Sequence, residues 1–428
     1  MDTSWYSPWY LLIMAIPVLM LGEALVKRVK LFSRFNIPAP VASGLLISLI
    51  VLAANLSGVL VLNFTTKVDA KWWTWLVTTE IDWAKAPLVN VHQPFLVAFF
   101  TCIGLNASWS IAKRGSVQVL FFLALATILA IVQNTVGVLL AKGLGVSPLI
   151  GLVCGSVAMT GGHGTALGFA GLLEKSGLEG AGVLGVAAAT FGLVAGGLLG
   201  GPIGGRLIQK HKLKSSASLK THLENAAGNE SGILKDFRTL AGFGKNFLLH
   251  LLLLLVCIKL GAWASHFIQK TEMTFPVYMG AMVLGVILRN AADLTGAQWI
   301  RTEIVDTLGS VSLGIFLAIA MMSLNLMELS KAAVPMLVIL SAQVTIMAVF
   351  AWFITFKIMG RDFDAAVMAG GHCGFGLGAT PNAVANMKSL VETFGPAPRA
   401  FLVVPIVGGF LIDLTNAATI TTFINLLK

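Results

Sequence analysis

The sequence predicts an all-α polytopic membrane protein built from two inverted repeats of five transmembrane helices, each with a re-entrant hairpin loop. Three observations predict it. The 428 residues are 57% hydrophobic and only 11% charged, with a mean hydropathy of +0.87, where a soluble chain carries roughly a quarter charged residues. Apolar stretches recur along the chain with Lys and Arg at their ends, as membrane topology requires. Two glycine-rich breaks, at residues 155–165 and 370–382, interrupt corresponding apolar segments of the two halves. An offset of 215 pairs Gly145 with Gly360, Gly155 with Gly370, Gly161 with Gly376 and Thr165 with Thr380. Paired interrupted segments of this kind mark the binding site of a secondary transporter.

The first predicted span is 10–26, followed at once by Lys27, Arg28 and Lys30. Basic residues gather on the cytoplasmic side, so the N-terminus is expected outside. No Lys or Arg precedes this run, which argues against a cleaved signal peptide. Residues 41–61 return outward after the Pro38-Ala39-Pro40 turn. The stretch 63–93 holds Trp72, Trp73, Trp75 and Trp83 and reads as an amphipathic segment in the outer headgroup region. Residues 94–109 lead inward to Lys113 and Arg114, 117–141 lead outward, and 183–203 end inside at Arg206. For these charges to agree, 148–173 enters and leaves on the outer face as a re-entrant loop.

Three regions follow: an N-terminal repeat over 1–205, a polar, flexible cytoplasmic linker over 206–245, and a C-terminal repeat over 246–428. The second repeat has spans at 247–268, 275–288, 308–327, 333–358 and 401–427. Its re-entrant loop, 363–387, is flanked by Arg361 and Lys388 and is entered from the cytoplasm. Five spans per half is odd, so the halves run in opposite orientation and the C-terminus also lies outside. Gly104-Leu105-Asn106 echoes Ser323-Leu324-Asn325 at the ends of the third spans. Lys259 sits towards the outer end of its span and is expected to snorkel to the interface.

The net charge of +10 is spread over span ends and the linker, which speaks for topology and against a nucleic-acid partner. The four cysteines lie far apart in apolar sequence, and neither a disulfide framework nor a zinc site follows. Cys373, inside the second break, is expected to be reached by polar thiol reagents from the cytoplasm. Asp413 is the one acid placed near the middle of a span, where a charge costs at least ~2.5–3 kcal/mol and so faces a cavity or a partner. Asn416, three residues on, shares its helical face. Together they offer hard oxygen ligands for Na⁺, or a carboxylate for an ammonium group.

Helix ends at the two breaks offer N–H groups to carboxylates and carbonyls to cations. Thr165 and Thr380 add hydroxyls at matching positions. His163 and His372 do not align at the 215 offset and read as hydrogen-bonded structural residues. Gln133 and Asn134 are intramembrane polar residues that could face the site, and Gln343 has no assigned role. The pairs Gly196-Gly197, Gly200-Gly201 and Gly204-Gly205 read as close helix packing. No nucleophile elbow, phosphate loop or zinc-protease motif is present, so nothing points to an enzyme. A channel would need a through-pore, whereas hairpins entering from opposite faces suit alternating access.

The segment Gly371-His-Cys-Gly-Phe-Gly-Leu-Gly-Ala-Thr-Pro381, followed by Ala385-Asn386-Met387, resembles the second signature of bacterial sodium/glutamate symporters. Gly161-Gly-His-Gly-Thr165 resembles the first. Similar too are Ile37 to Val41, Gly104-Leu-Asn106, Gln133-Asn134, Ala189 to Leu193, Phe401 to Pro405, and Ile412-Asp413 with Asn416-Ala417. The resemblance implies Na⁺-coupled uptake of glutamate across the inner membrane by an elevator-type carrier that forms a homodimer in the lipid. On this resemblance, the substrate-binding residues are Gly161, Gly162, His163, Gly164, Thr165, Gly376, Gly378, Ala379, Thr380, Pro381, Asn382 and Asp413. The Na⁺ ligands are Ser156, Asn106, Gln133, Asn134, Thr380, Asp413 and Asn416. The alternative is a carrier of another carboxylate of the citrate or malate type. No Arg falls mid-span, which leans toward an amino acid.

Overall fold

A computed structural model of the chain describes residues 4–30, 32, 37–57, 62–85, 88–109, 116–215, 233–269, 276–296, 299–324 and 329–427. Lys113, Arg114, Asn325, linker residues 216–232 and the side chain of Trp83 lie outside the described set. The first half runs β1 (Ser4–Tyr6), α1 (Pro8–Arg28), α2 (Ala39–Ser57), β2 (Leu62–Phe64), β3 (Lys67–Val68), α3 (Lys71–Thr74), α4 (Glu80–Lys85), β4 (Val89–Asn90) and α5 (Gln93–Asn106). It continues with α6 (Ser116–Gly143), α7 (Pro148–Leu152), α8 (Gly162–Lys175) and α9 (Ala181–Lys210). The second half opens with α10 (Ile233–Gly242), α11 (Lys245–Gln269), α12 (Met279–Leu294), α13 (Thr302–Met322) and α14 (Leu329–Val349). It closes with α15 (Phe356–Ile358), α16 (Phe363–Gly376), α17 (Thr380–Phe394), α18 (Pro398–Ile406) and α19 (Ile412–Leu426). Single π-helical turns follow α7, α14 and α18, at Val153–Val157, Phe350–Thr355 and Val407–Leu411.

Among the described residues, eight helices are long and apolar enough to cross a membrane: Pro8–Arg28, Ala39–Ser57, Val117–Gly143, Ala181–Lys210, Lys245–Ile268, Thr302–Met322, Ala332–Ile358 and Pro398–Leu426. The chain is therefore a multi-pass, all-helical membrane protein, with two small strand pairs among the described residues, β1–β2 and β3–β4. The helices at the expected spans 94–109 and 275–288 are not among these eight, and the second runs over Met279–Leu294 rather than 275–288. There α5 has 14 residues and α12 has 16, about 21 and 24 Å at 1.5 Å per residue, against ~30 Å of hydrocarbon. Both run close to a neighbour: Gly285 of α12 abuts the backbone of α5, where an added Cβ would lie 2.9 Å from the Thr101 carbonyl oxygen. Small residues at such a contact let backbones approach closely.

The chain divides into two compact units, one of residues 1–33, 37–110 and 230–327, the other of 34–36, 111–229 and 328–428. Each unit draws on both sequence halves. In the first, Ser48 of α2 donates to the Met321 carbonyl of α13. The Trp-rich stretch is not one amphipathic segment but a packed cap of α3, α4 and the β3–β4 pair. Val68, Val77, Val89 and Val91 are buried in it, and Trp9 stacks on Trp72 at 5.5 Å. Lys259 reaches this cap and donates to the carbonyls of Trp75 (2.8 Å) and Thr78 (2.9 Å), with Glu80 at 3.5 Å. Its snorkelling thus ends on named acceptors. The expected linker is also structured at both ends. α9 continues to Lys210, and α10 buries Ile233 and Leu240 while Asp236 accepts from Ser310 at 3.2 Å.

In the second unit, glycines let α9 lie on the hairpin of α16 and α17. Gly196 faces the Cys373 and Gly374 carbonyls, Gly200 the Gly370 carbonyl, and Gly204 the Ala366 carbonyl. Gly201 meets nothing within 4 Å, so the packing stripe repeats every fourth residue rather than in pairs. The 215-residue offset also holds in the element boundaries. Gly143, the end of α6, falls on Ile358, the end of α15; Pro148, the start of α7, falls on Phe363, the start of α16. Between them, Gly145 and Gly360 both take positive φ, +69° and +118°, the left-handed turn that glycine adopts at least cost.

Candidate functional site

The two breaks expected to form the site both lie in the second unit. In the first, Gly155 leaves helical geometry within its π turn (φ −86°, ψ −140°), and Gly162 starts α8 at φ +63°. In the second, the interruption is narrower than the glycine run suggests. α16 stays helical through Gly370, Gly371, Gly374 and Gly376, and only Leu377, Gly378 and Ala379 separate it from α17. Those helical glycines serve packing: Gly374 abuts the Ala383 backbone and Gly371 the Met387 side chain. Pro381 sits in the first turn of α17, where its missing N–H is no loss.

The two breaks touch. A Cβ on Gly162 would lie 2.6 Å from the Gly378 carbonyl oxygen, and one on Gly378 would lie 2.7 Å from the Leu193 backbone, so each position needs glycine-scale clearance. Gln133, buried on α6, joins them. Its Nε2 donates to the Gly376 carbonyl at 2.8 Å, and its Oε1 accepts from Thr160 at 2.7 Å. Gln343 of α14 donates to the Gln133 backbone carbonyl at 2.8 Å. Next door, Asn134 Oδ1 accepts the Ser156 N–H at 2.7 Å, and Asn416 of α19 donates to the Ser156 carbonyl at 3.1 Å. Asn382 donates to the Leu193 carbonyl at 2.6 Å, and Thr380 donates to the Gly408 carbonyl.

Several oxygens in this network remain open. Ser156 Oγ, Asn416 Oδ1 and Asn382 Oδ1 are buried without a hydrogen-bond partner. Buried polar atoms are nearly always paired, and an exception calls for an explanation; a bound cation is one. Asp413, one turn before Asn416, is half-buried, and among the described residues no hydrogen bond or ion pair reaches its carboxylate. Gly161, Gly164, Ala379 and Thr380 are likewise only partly buried, whereas Gly162, His163, Thr165, Gly376, Gly378 and Asn382 are buried. Among the described residues no trio of His, Cys, Asp or Glu could hold a transition metal. The donors are hydroxyls, amides and one carboxylate, which is chemistry for a hard cation.

Not every expected residue joins this network. Asn106 belongs to the first unit, where its amide donates to Asp306 at 2.6 Å. Thr165 and Thr380 do not have matching environments: Thr165 is buried inside α8 against Gly161, while Thr380 opens α17. His163 pairs with Thr190 at 3.0 Å, and His372 with Thr355 at 2.8 Å amid Phe122, Phe350 and Phe375. Both are hydrogen-bonded core histidines, as the sequence suggested. Cys373 is fully buried in α16, so the expectation of ready thiol labelling does not hold in this conformation. Sequence reasoning missed Thr160, although it immediately precedes Gly161-Gly162, and left Gln343 without a role despite its place in an apolar span.

The model of the family described as "Sodium/glutamate symporter" matches residues 7–79 and 74–396. Among characterised relatives, the sodium/glutamate symporter of Haemophilus influenzae is 37% identical over 414 residues, covering 96% of each chain. That of Escherichia coli is 37% identical over 422 residues, covering 97% of this chain and 96% of its own.

Proposed function

The chain belongs to the sodium/glutamate symporter family, and we infer from that premise that it carries glutamate across a membrane coupled to Na⁺. It is a transporter, not an enzyme, and the family favours glutamate over citrate or malate as cargo. The single observation that carries the mechanism is the meeting of the two breaks beside unpartnered buried oxygens and an unpaired carboxylate. Charged groups held in a span face a cavity or a partner, and here the partner is the cargo.

Division of labour follows burial. The half-buried edge formed by Gly161, Gly164, Ala379 and Thr380 is the surface that glutamate meets. The first turns of α8 and α17 lack intrahelical acceptors for part of their N–H groups and attract carboxylates. His163, Thr165, Gly162, Gly376, Gly378 and Asn382 shape that surface from behind, and Pro381, exposed in the first turn of α17, borders it. The buried oxygens, Ser156 Oγ and Asn416 Oδ1, together with the Asp413 carboxylate, are the Na⁺ ligands. Asn134 holds the Ser156 backbone in place.

The repeats are inverted, and 148–173 and 363–387 are re-entrant loops. The shared 215-residue register of helix ends, paired breaks and positive-φ glycines supports this reading. Transport then proceeds by alternating access of the elevator type, in a homodimer of the bacterial inner membrane with both termini outside. Counterflow in proteoliposomes tests the carrier reading. Vesicles preloaded with unlabelled glutamate should transiently concentrate labelled glutamate when Na⁺ is equal on both sides. Label that only equilibrates, without overshoot, would indicate a channel.

A further inference from the structure

We propose that Gln133 is not a Na⁺ ligand but a positioning strut that binds the two breaks to each other, so that ion binding at one is felt at the other. The inference rests on the transport reading above and assigns a role within that site. Both ends of the Gln133 amide are already engaged, its Nε2 on the Gly376 carbonyl at 2.8 Å and its Oε1 on the Thr160 hydroxyl at 2.7 Å. Gly376 is the last residue of α16, and Thr160 precedes α8 by two residues. One side chain therefore joins the C-terminal end of one broken helix to the approach of the other.

The strut is anchored behind as well. Gln343 donates to the Gln133 carbonyl, and Gly137, one turn along α6, lies against the Gly151 backbone. α6 is thus fixed to α14 and to the first hairpin at the level of Gln133. Where the breaks touch directly, the contact is a backbone approach of Gly162 to the Gly378 carbonyl. That contact is short-range and can only separate or close. Among the described residues, the Gln133 amide alone supplies directional bonds to both sides. A buried carbonyl left without its donor costs enough to matter, so the second break cannot move away from Gln133 without replacing that bond.

The ligand and strut readings predict opposite rankings of variants. Gln133→Glu keeps an acceptor for Thr160 and adds negative charge, but in its ionised form cannot donate to Gly376. Gln133→Leu loses both bonds. A strut predicts that Glu and Leu raise the Na⁺ half-saturation of glutamate uptake alike, by about tenfold or more, the cost of one unpaired buried group. It further predicts that Thr160→Val moves it in the same direction and that Gln133→Leu with Thr160→Val is no worse than Gln133→Leu alone. A ligand predicts that Glu binds Na⁺ as well as or better than wild type, and that Thr160→Val is neutral.

A second readout needs no transport. Cys373 is buried in α16, three residues before Gly376, and serves as a reporter with Cys102, Cys154 and Cys257 changed to alanine. Maleimide should react with it several-fold faster in Gln133→Leu and in Thr160→Val, because the second break has lost its tie. If wild-type vesicles fail to transport, the functional reading falls, while the labelling comparison still judges the strut. Unchanged Cys373 labelling in both variants, or a Gln133→Leu variant with normal Na⁺ half-saturation, would overturn the proposal.

Discussion

Replacing Asp413 by Asn isolates the charge at the site, because Asn keeps the shape and one oxygen. Asp413 lies near the start of α19, directly after the π turn Val407–Leu411, half-buried in the span Pro398–Leu426. A charge in such a span costs at least ~2.5–3 kcal/mol, and among the described residues no cation or donor offsets it. The fold therefore gains nothing from the charge without cargo, and the variant should be at least as stable as wild type. With cargo, a contact involving a charged group contributes ~1.5–3 kcal/mol. At ~1.4 kcal/mol per factor of ten, Asp413→Asn should raise the Na⁺ half-saturation of glutamate uptake about 10–100-fold. The assay is initial-rate uptake of labelled glutamate into proteoliposomes over a Na⁺ series, with thermal unfolding of the detergent-solubilised protein beside it. A half-saturation within about twofold of wild type would refute the reasoning and leave Asp413 a structural residue.

Two further substitutions probe the packing. Gly162→Ala puts a methyl group where φ is +63° and the Gly378 carbonyl is 2.6 Å away. It should destabilise the protein by at least ~1–2 kcal/mol and slow uptake, whereas Gly171→Ala, with nothing within 4 Å, should do neither; equal unfolding midpoints would count against the contact between the breaks. Lys259→Met removes the donor to the Trp75 and Thr78 carbonyls and should lower stability by about 1–3 kcal/mol while leaving Na⁺ half-saturation unchanged. A lost Na⁺ dependence there would move Lys259 from the cap to the transport cycle.

Much of this architecture was legible because lipid imposes simple rules. Apolar length and basic flanks marked the long spans, since every backbone group in lipid must be satisfied internally. The paired breaks were visible because the same glycines recur at one offset, and Gly145 and Gly360 now show why: both take the left-handed turn just before a broken helix. The helices α5 and α12 read as membrane spans in the sequence, α12 with its bounds four to six residues early, because apolar composition does not distinguish a lipid-facing span from a helix packed among others. Glycine was over-read as a helix breaker at Gly370, Gly371 and Gly374, where close packing against Gly200, Met387 and Ala383 uses its small size inside an intact helix. The acceptors of Lys259 and Gln133 could not be read from sequence, since Thr78 and Gly376 lie about 180 and 240 residues away in the chain.

Coupling to Na⁺ is the central claim, and uptake under defined gradients tests it most directly. Proteoliposomes containing the full chain, loaded with Na⁺-free buffer, are given labelled glutamate with external Na⁺, K⁺ or choline at constant pH. The account predicts accumulation above the equilibrium level with Na⁺ alone, lost when the Na⁺ gradient is dissipated. Equal accumulation driven by a proton gradient without Na⁺ would contradict it.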